Sequence, residues 1–483
     1  MYGQPLAKTH SHLMAPHDLT PGIPRSEYEE RREKLMESLP EGSLVVCLGG
    51  TIKYMSQEIF YKFRQASDFW YLTGFQEPDA ALILEKTSQG RRSYKMTLFC
   101  EGKNAHKEKW EGARTGFDDV VTLFGADEAR DSSLFYTHLK GLLPLYSRYY
   151  VSPYSVQGRR RKRCRSLVPS SSVGTGLSLQ EALDRALDEV QSPIPADLKR
   201  EVARFRAIKS VNEQTVLRKA ADISAMAHTK SMRFANMQPN LPEASLAAHF
   251  EYLCTLEGAQ RMAYVPVVAS GANSLVIHYT SNDNLLQEGD LVLIDAGCEY
   301  NGYTSDITRT YPTFPSGRFT TAQAEIYNAV LVALKHCTAL CRETSKMSMY
   351  DLHVESCKIL ARELNKLGFN LREGNAGPGN AEVERILYPH FLSHPIGIDL
   401  HEAYGNRSSA YSSLQAGMVI TVEPGIYVPP SSLFPSQYHN IGVRIEDDVL
   451  IGKHDPVVLS VNAPKEIVDV EAACQGTLGI GSY

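Results

Sequence analysis

A chain of 483 residues exceeds what one hydrophobic core usually organises, so two domains are expected. With 50 basic and 55 acidic side chains the formal net charge is -5, which excludes a global attraction to nucleic acid or anionic membrane; no nucleic-acid partner is expected. The 43% hydrophobic fraction supplies sizeable cores, yet no apolar run approaches the roughly 18 residues that would span a bilayer, so a soluble protein without a transmembrane segment is expected.

The first twenty residues, "MYGQPLAKTHSHLMAPHDLT", contain no arginine and no apolar h-region, so neither a transit peptide nor a signal peptide is expected in them. Ser26 followed by Glu29 predicts a capping box, and Tyr28, Leu35, Met36 and Leu39 form one apolar stripe of the helix it would open. Strand-length apolar runs follow at 43–48 ("SLVVCL"), 80–84 ("AALIL") and 94–99 ("YKMTLF"), so an α/β domain is expected. In "GRRRKRCRSLVPSSSVGTGLS" (158–178) six of the seven residues from Arg159 to Arg165 are basic and the rest is rich in Ser, Gly and Pro. Such a stretch cannot bury enough apolar surface to order itself; it reads as a solvated insertion, with a nuclear address as the alternative. A second capping box is predicted from Ser178 to Glu181, and helical patterns carry the chain past a domain boundary placed near residue 200. Nine cysteines without a CxxC pair or framework spacing fit a reducing compartment, and Cys337 and Cys341, four apart on a predicted helix, read as core.

The second half carries the chemistry. In "LVLIDAGCEYNGYTSDITRT" (291–310) the pair Asn301–Gly302 is a strong two-residue hairpin signal. With those two residues at the turn, Asp295 faces Thr308, and Asp306 lies two residues away on the same side of the ribbon. Two carboxylates so close among apolar neighbours must either share a proton or hold cations. Glu423 ends an apolar strand in "GMVITVEPGIYV", and Glu446 is expected within a strand on the same face as Arg444. Between the aspartates and these glutamates lie His390, His394 and His401. Four carboxylates and one imidazole make a hard, oxygen-rich set that suits Mn, Co or Zn better than a metal that prefers thiolates.

Seven stretches, "SDFWYLTGFQEPDAALIL", "VASGANSLVIHYTSND", "GDLVLIDAGCEYNGYTSDITRT", "FTTAQAEIYNAVL", "LSHPIGIDLHEA", "GMVITVEPGIY" and "GVRIEDDVLI", resemble the pita-bread metallopeptidases in their aminopeptidase P branch. The resemblance runs from about residue 25 to 470. It implies a fold in which an amino-terminal extension (1–24) precedes a creatinase-like α/β domain (25–200, with the insertion at 158–178) and an α+β pita-bread catalytic domain (201–483), normally assembled as a homodimer. The same resemblance implies two divalent metal ions, Mn2+ first with Co2+ or Zn2+ as alternatives, held by Asp295, Asp306, His394, Glu423 and Glu446, with Asp306 and Glu446 bridging. Glu423 would be the general base. His278 and His401 would contact the peptide near the scissile bond, one of them stabilising the oxyanion. Tyr264 and His390 would line the substrate pocket, and Arg444 would orient Glu446. Trp110 matches a tryptophan that reaches the neighbouring subunit's site; the alternative is a core aromatic. The extension resembles the mature start of the mitochondrial members, so a matrix aminopeptidase that trims imported proteins after presequence cleavage is expected, with a general Xaa-Pro aminopeptidase, a prolidase or a non-catalytic binding protein as alternatives.

Overall fold

The computed structural model describes residues 2–88, 90, 92–152, 177–190, 194–372, 382–403 and 410–478; nearly all of the basic insertion lies outside them. The chain divides into two compact units, Met1–Phe205 and Arg206–Tyr483.

In the first unit a six-stranded mixed sheet runs in the order Ala196–Asp197, Arg148–Ser152, Ser43–Leu48, Ala81–Lys86, Tyr94–Cys100, Glu128–Asp131. Its central strands are buried on both faces, which is why they read as continuous apolar runs without alternation. One face is packed by Phe135, Leu139, Leu183 and Ala186, with the Phe99 and Phe135 rings edge to face at 5.3 Å. The helix Leu179–Glu189 opens with the predicted Ser178–Glu181 box. The other predicted box does not form. The helix Arg25–Ser38 begins one residue earlier than Ser26, behind Pro24, and Glu29 turns to Arg25 at 3.5 Å. Pro24 itself takes the N-cap position, in extended backbone with ψ 154°, and its ring has no acceptor to offer, so this helix start has no side-chain cap. Tyr28, Leu35, Met36 and Leu39 are buried as the stripe predicts.

The second unit is α+β. Helices Val211–Ala235, Glu243–Leu256, Thr321–Leu340 and Met349–Lys366 pack with antiparallel ladders around one core that joins Ala227, Phe250, Ile294, Val330, Leu360, Val422 and Val443. Three helices start at capping boxes, Ser210–Glu213, Thr320–Gln323 and Ser348–Asp351. Cys337 and Cys341 belong to that core, and all the described cysteines are buried free thiols. Among the described residues no helix is long and apolar enough to cross a membrane.

Two ladders position the site. In the first, Asp295 pairs with Thr308 and Tyr300 with Tyr303, the register set by Asn301 and Gly302, whose φ values of 50° and 83° meet the demand of a tight hairpin turn. In the second, Val422 pairs with Asp447 and Gly425 with Arg444. Each ladder breaks near its middle, and the acidic residues sit at or beside the breaks. Glu446 therefore lies in the gap between Ile441–Arg444 and Asp447–Leu450, not within a strand as the sequence pattern suggested.

Candidate metal centre

The aspartates converge as the hairpin register requires. The Tyr264 hydroxyl stands 2.5 Å from Asp295 Oδ1 and 2.5 Å from Asp306 Oδ1, so three oxygens compete for few protons. His394 enters from the segment beside Val419–Val422, where its backbone N–H meets Thr421 Oγ1 at 3.1 Å and its carbonyl accepts from Thr421 N at 2.9 Å. That anchoring leaves Nε2 3.3 Å from Asp306 Oδ2 and 3.7 Å from Glu423 Oε1. Asp306, His394 and Glu446 each offer a ligand atom within 4.8 Å of the others. Glu446 accepts from Thr308 Oγ1 through Oε2 at 2.7 Å, whereas its Oε1 is buried without a hydrogen-bond partner. A buried carboxylate oxygen with no donor is costly unless a cation meets it, so the residues fit a metal.

The electrostatics agree. Burial, with Asp306, Glu423 and Asp295 nearby, raises the Glu446 carboxyl well above its ordinary range. Burial and Asp306 push Glu423 up to about 8 against the pull of His394 and Arg444. Burial would lower His394, but Asp306 and Glu423 outweigh it and raise the imidazole to about 9. Without a metal the cluster retains protons, and divalent cations would replace them.

Arg444 braces this cluster from behind. Its Nη2 donates to Asp295 Oδ2 at 2.6 Å, Nη1 to Tyr427 OH at 2.7 Å and Nε to Thr308 Oγ1 at 3.2 Å. It thus reaches Glu446 only through Thr308 and holds Asp295 directly. Burial alone would raise the Asp295 carboxyl; the guanidinium and Tyr264 keep it below its usual value. His390 bridges Tyr427 OH at 2.9 Å and Glu423 Oε2 at 3.7 Å, and burial beside Arg444 lowers it to about 3. His401 is exposed, its ring lies 4.1 Å from that of His394, and partial desolvation with His394 and His278 nearby lowers it to about 4. His278 is exposed. Trp110, in the first unit, is 82% exposed and so is not a core aromatic.

Several supporting residues were not singled out from the sequence. Asp448 Oδ2 accepts the Asp306 N–H at 3.0 Å. The fully buried Arg309 donates to Asp447 at 2.8 Å and also reaches the Glu446 carbonyl, pinning the broken strand. Glu402 accepts from Lys209 at 2.9 Å and Arg206 at 2.9 Å, fixing the residue after His401. The acidic run at 446–448 on an apolar strand was the available signal. A second cluster, His353, Cys357 and Glu384, has metal-like composition. However, His353 Nδ1 accepts from Leu392 N at 3.2 Å, which leaves Nε2 protonated toward Glu384 at 3.4 Å, so both ring nitrogens are already engaged.

Residues 215–453 match the model of metallopeptidase family M24, and residues 28–150 match the aminopeptidase P N-terminal domain. Intermediate cleaving peptidase 55 of Saccharomyces cerevisiae is 36% identical over 99% of this chain and 89% of its own length. The chain belongs to metallopeptidase family M24. It is a metalloaminopeptidase of the aminopeptidase P type, acting on peptide amino termini, and its family works with divalent metal ions. Similar proteins include human Xaa-Pro aminopeptidase 3, 36% identical over 98% of this chain and 90% of its own, and Arabidopsis thaliana "Intermediate cleaving peptidase 55, mitochondrial", 35% identical over 97% and 87%. A crystal structure of Icp55 from S. cerevisiae superposes with a TM-score of 0.81 at 34% identity, covering 96% of this chain and 100% of that one. The α/β plus pita-bread fold is thereby shared. These relatives lend nothing to a nuclear destination for the basic run.

Proposed function

We propose that this enzyme removes one residue from the amino termini of imported mitochondrial proteins after presequence cleavage, using two divalent ions, Mn2+ first, held by Asp295, Asp306, His394, Glu423 and Glu446. The observation that carries the metal reading is the buried, donor-less Glu446 Oε1 beside Asp306 and His394. The processing role and the matrix location rest on similarity, over nearly the whole chain, to intermediate cleaving peptidase 55. When bound, two such ions supply Lewis acidity and a water acidic enough to act as nucleophile at neutral pH. Glu423, held up by burial, takes and returns the proton. His278 and His401 contact the peptide near the scissile bond, where one of them supports developing negative charge. His390 and Tyr264 line the pocket, and Arg444 keeps Asp295 oriented and charged. The exposed Trp110 supports a homodimer in which this side chain meets a second copy. Deleting the gene and sequencing mitochondrial protein amino termini tests the role: retained Tyr, Leu or Phe is the expected outcome. Unchanged termini, with purified enzyme cleaving a Tyr-Pro peptide but not its Tyr-Ser counterpart, would leave a general Xaa-Pro aminopeptidase instead.

A further inference from the structure

Glu243, the first residue of the helix Glu243–Leu256, is fully buried, yet among the described residues no cation pairs with it. Neutral donors surround it. Oε1 accepts from Ser270 N at 2.8 Å, Ser270 Oγ at 2.6 Å and Asn273 Nδ2 at 3.2 Å. Oε2 accepts from Asn284 N at 3.0 Å, and the Tyr279 hydroxyl lies 2.9 Å from it and 2.9 Å from Asp283 Oδ1. In return the Glu243 N–H donates to the Asn284 carbonyl at 2.9 Å. Each oxygen of this side chain, so far from water, is satisfied by these donors.

All of these donors come from one segment, 270–284, which past the short turn Gly271–Leu275 has no helix or ladder of its own. Glu243 ties both ends of it and its middle. Within the segment Leu275, Ile277 and Tyr279 pack inward against Val267, Ala269, Leu293 and Tyr427, whereas the alternate residues Val276 and His278 are exposed. Tyr427 is the residue whose hydroxyl joins His390 to Arg444, so the wall that carries His278 is continuous with the metal centre.

We propose that Glu243 is a positioning residue for peptide hydrolysis, holding the segment 270–284 so that His278 stands at the reacting peptide. The proposal rests on reading His278 as a peptide contact. A merely structural Glu243 would govern folding alone. Glu243→Gln preserves volume but offers a donor where an acceptor is required, so it frees either the Ser270 or the Asn284 end. Tyr279→Phe removes one donor from the middle and keeps the ring in its apolar contacts.

The test is a double-mutant cycle on the Mn2+-loaded enzyme, measuring kcat and KM with a peptide substrate, together with Mn2+ affinity and thermal midpoint. In the presence of His278, Glu243→Gln should lower kcat by about 10- to 100-fold, since displacement by an ångström costs up to that much. Tyr279→Phe should lower kcat less, and Mn2+ affinity should stay unchanged in both. Combined with His278→Ala, neither substitution should lower kcat further. An unchanged kcat in folded Glu243→Gln, or an equal fold-loss with and without His278, would overturn the proposal while leaving His278 in place. Full kcat in His278→Ala alone would instead overturn the reading of His278, and the proposal with it. If Glu243→Gln fails to fold, the same comparisons on Tyr279→Phe decide.

Discussion

Glu423 stands directly opposite Glu446 across the second ladder, because Val422 faces Asp447 and Gly425 faces Arg444 on either side of the break. Both carboxyls are raised by burial and by the other acids around them, Glu423 to about 8. The folded, metal-free protein therefore holds protons that the unfolded chain releases at neutral pH. Its stability should fall as pH rises from the ordinary carboxylate range through about 8, and metal uptake at pH 7 should release protons. Calorimetric titration with Mn2+ in buffers of different ionisation enthalpy measures the release. Binding heats independent of buffer would contradict it.

Arg444 makes three separate donations with one rigid fork, to Asp295, Tyr427 and Thr308. Lysine cannot reproduce that geometry. Arg444→Lys should lower metal affinity by about 10- to 100-fold, the usual cost of losing a partner that orients a ligand. Mn2+ titration of the stripped variant checks this; wild-type affinity would contradict it.

Gly297 faces Asp306 where the first ladder is interrupted, and a Cβ there would sit 1.9 Å from the Ser305 carbonyl oxygen and 3.2 Å from Asp306 N. Backbone cannot yield as a flexible side chain would. Gly297→Ala should destabilise the protein by about 1–3 kcal/mol through overpacking and weaken metal binding by shifting Asp306. Thermal melts with and without Mn2+ separate the two effects.

His228 is fully buried, donates from Nε2 to the Ala296 carbonyl at 2.9 Å and packs edge to face on Phe250 at 4.8 Å. Burial lowers its imidazole to about 4. Below the ordinary histidine value the unfolded chain takes up a proton that the folded protein refuses. Stability is therefore lost as pH falls from about 6.5 to 4, by about 3 kcal/mol in total. Denaturant melts across that window should show the loss in the wild type and a shallower slope in His228→Asn. Equal slopes would contradict the assignment.

What the sequence disclosed follows from how local each signal is. The turn at Asn301–Gly302 sets the hairpin register, so the convergence of Asp295 and Asp306 could be read directly. The opposition of Glu423 and Glu446 could not, because it depends on pairing between strands joined by a long excursion and on a break that alternation does not reveal. Asp447 and Asp448 carry no sequence signal of burial, yet both are buried: Arg309, Lys465 and Ser460 come from elsewhere to pair Asp447, and Asp448 caps the Asp306 amide. The role of Glu243 was not legible either, because its donors all lie beyond the helix it opens. Proline at residue 24 displaced the helix start from Ser26, a contest between two local signals that spacing alone does not decide.

In the mechanism we propose, five side chains from two broken ladders and one adjoining segment hold a pair of divalent ions on which hydrolysis depends. The most direct measurement strips the enzyme with a chelator and follows cleavage of a tripeptide or longer peptide during stoichiometric return of Mn2+. Activity should vanish on stripping and return in full at two equivalents per chain, and Asp306→Ala should not recover at any equivalence while remaining folded. Full cleavage by the stripped enzyme, or by Asp306→Ala, would mean that hydrolysis does not depend on metal held at this cluster.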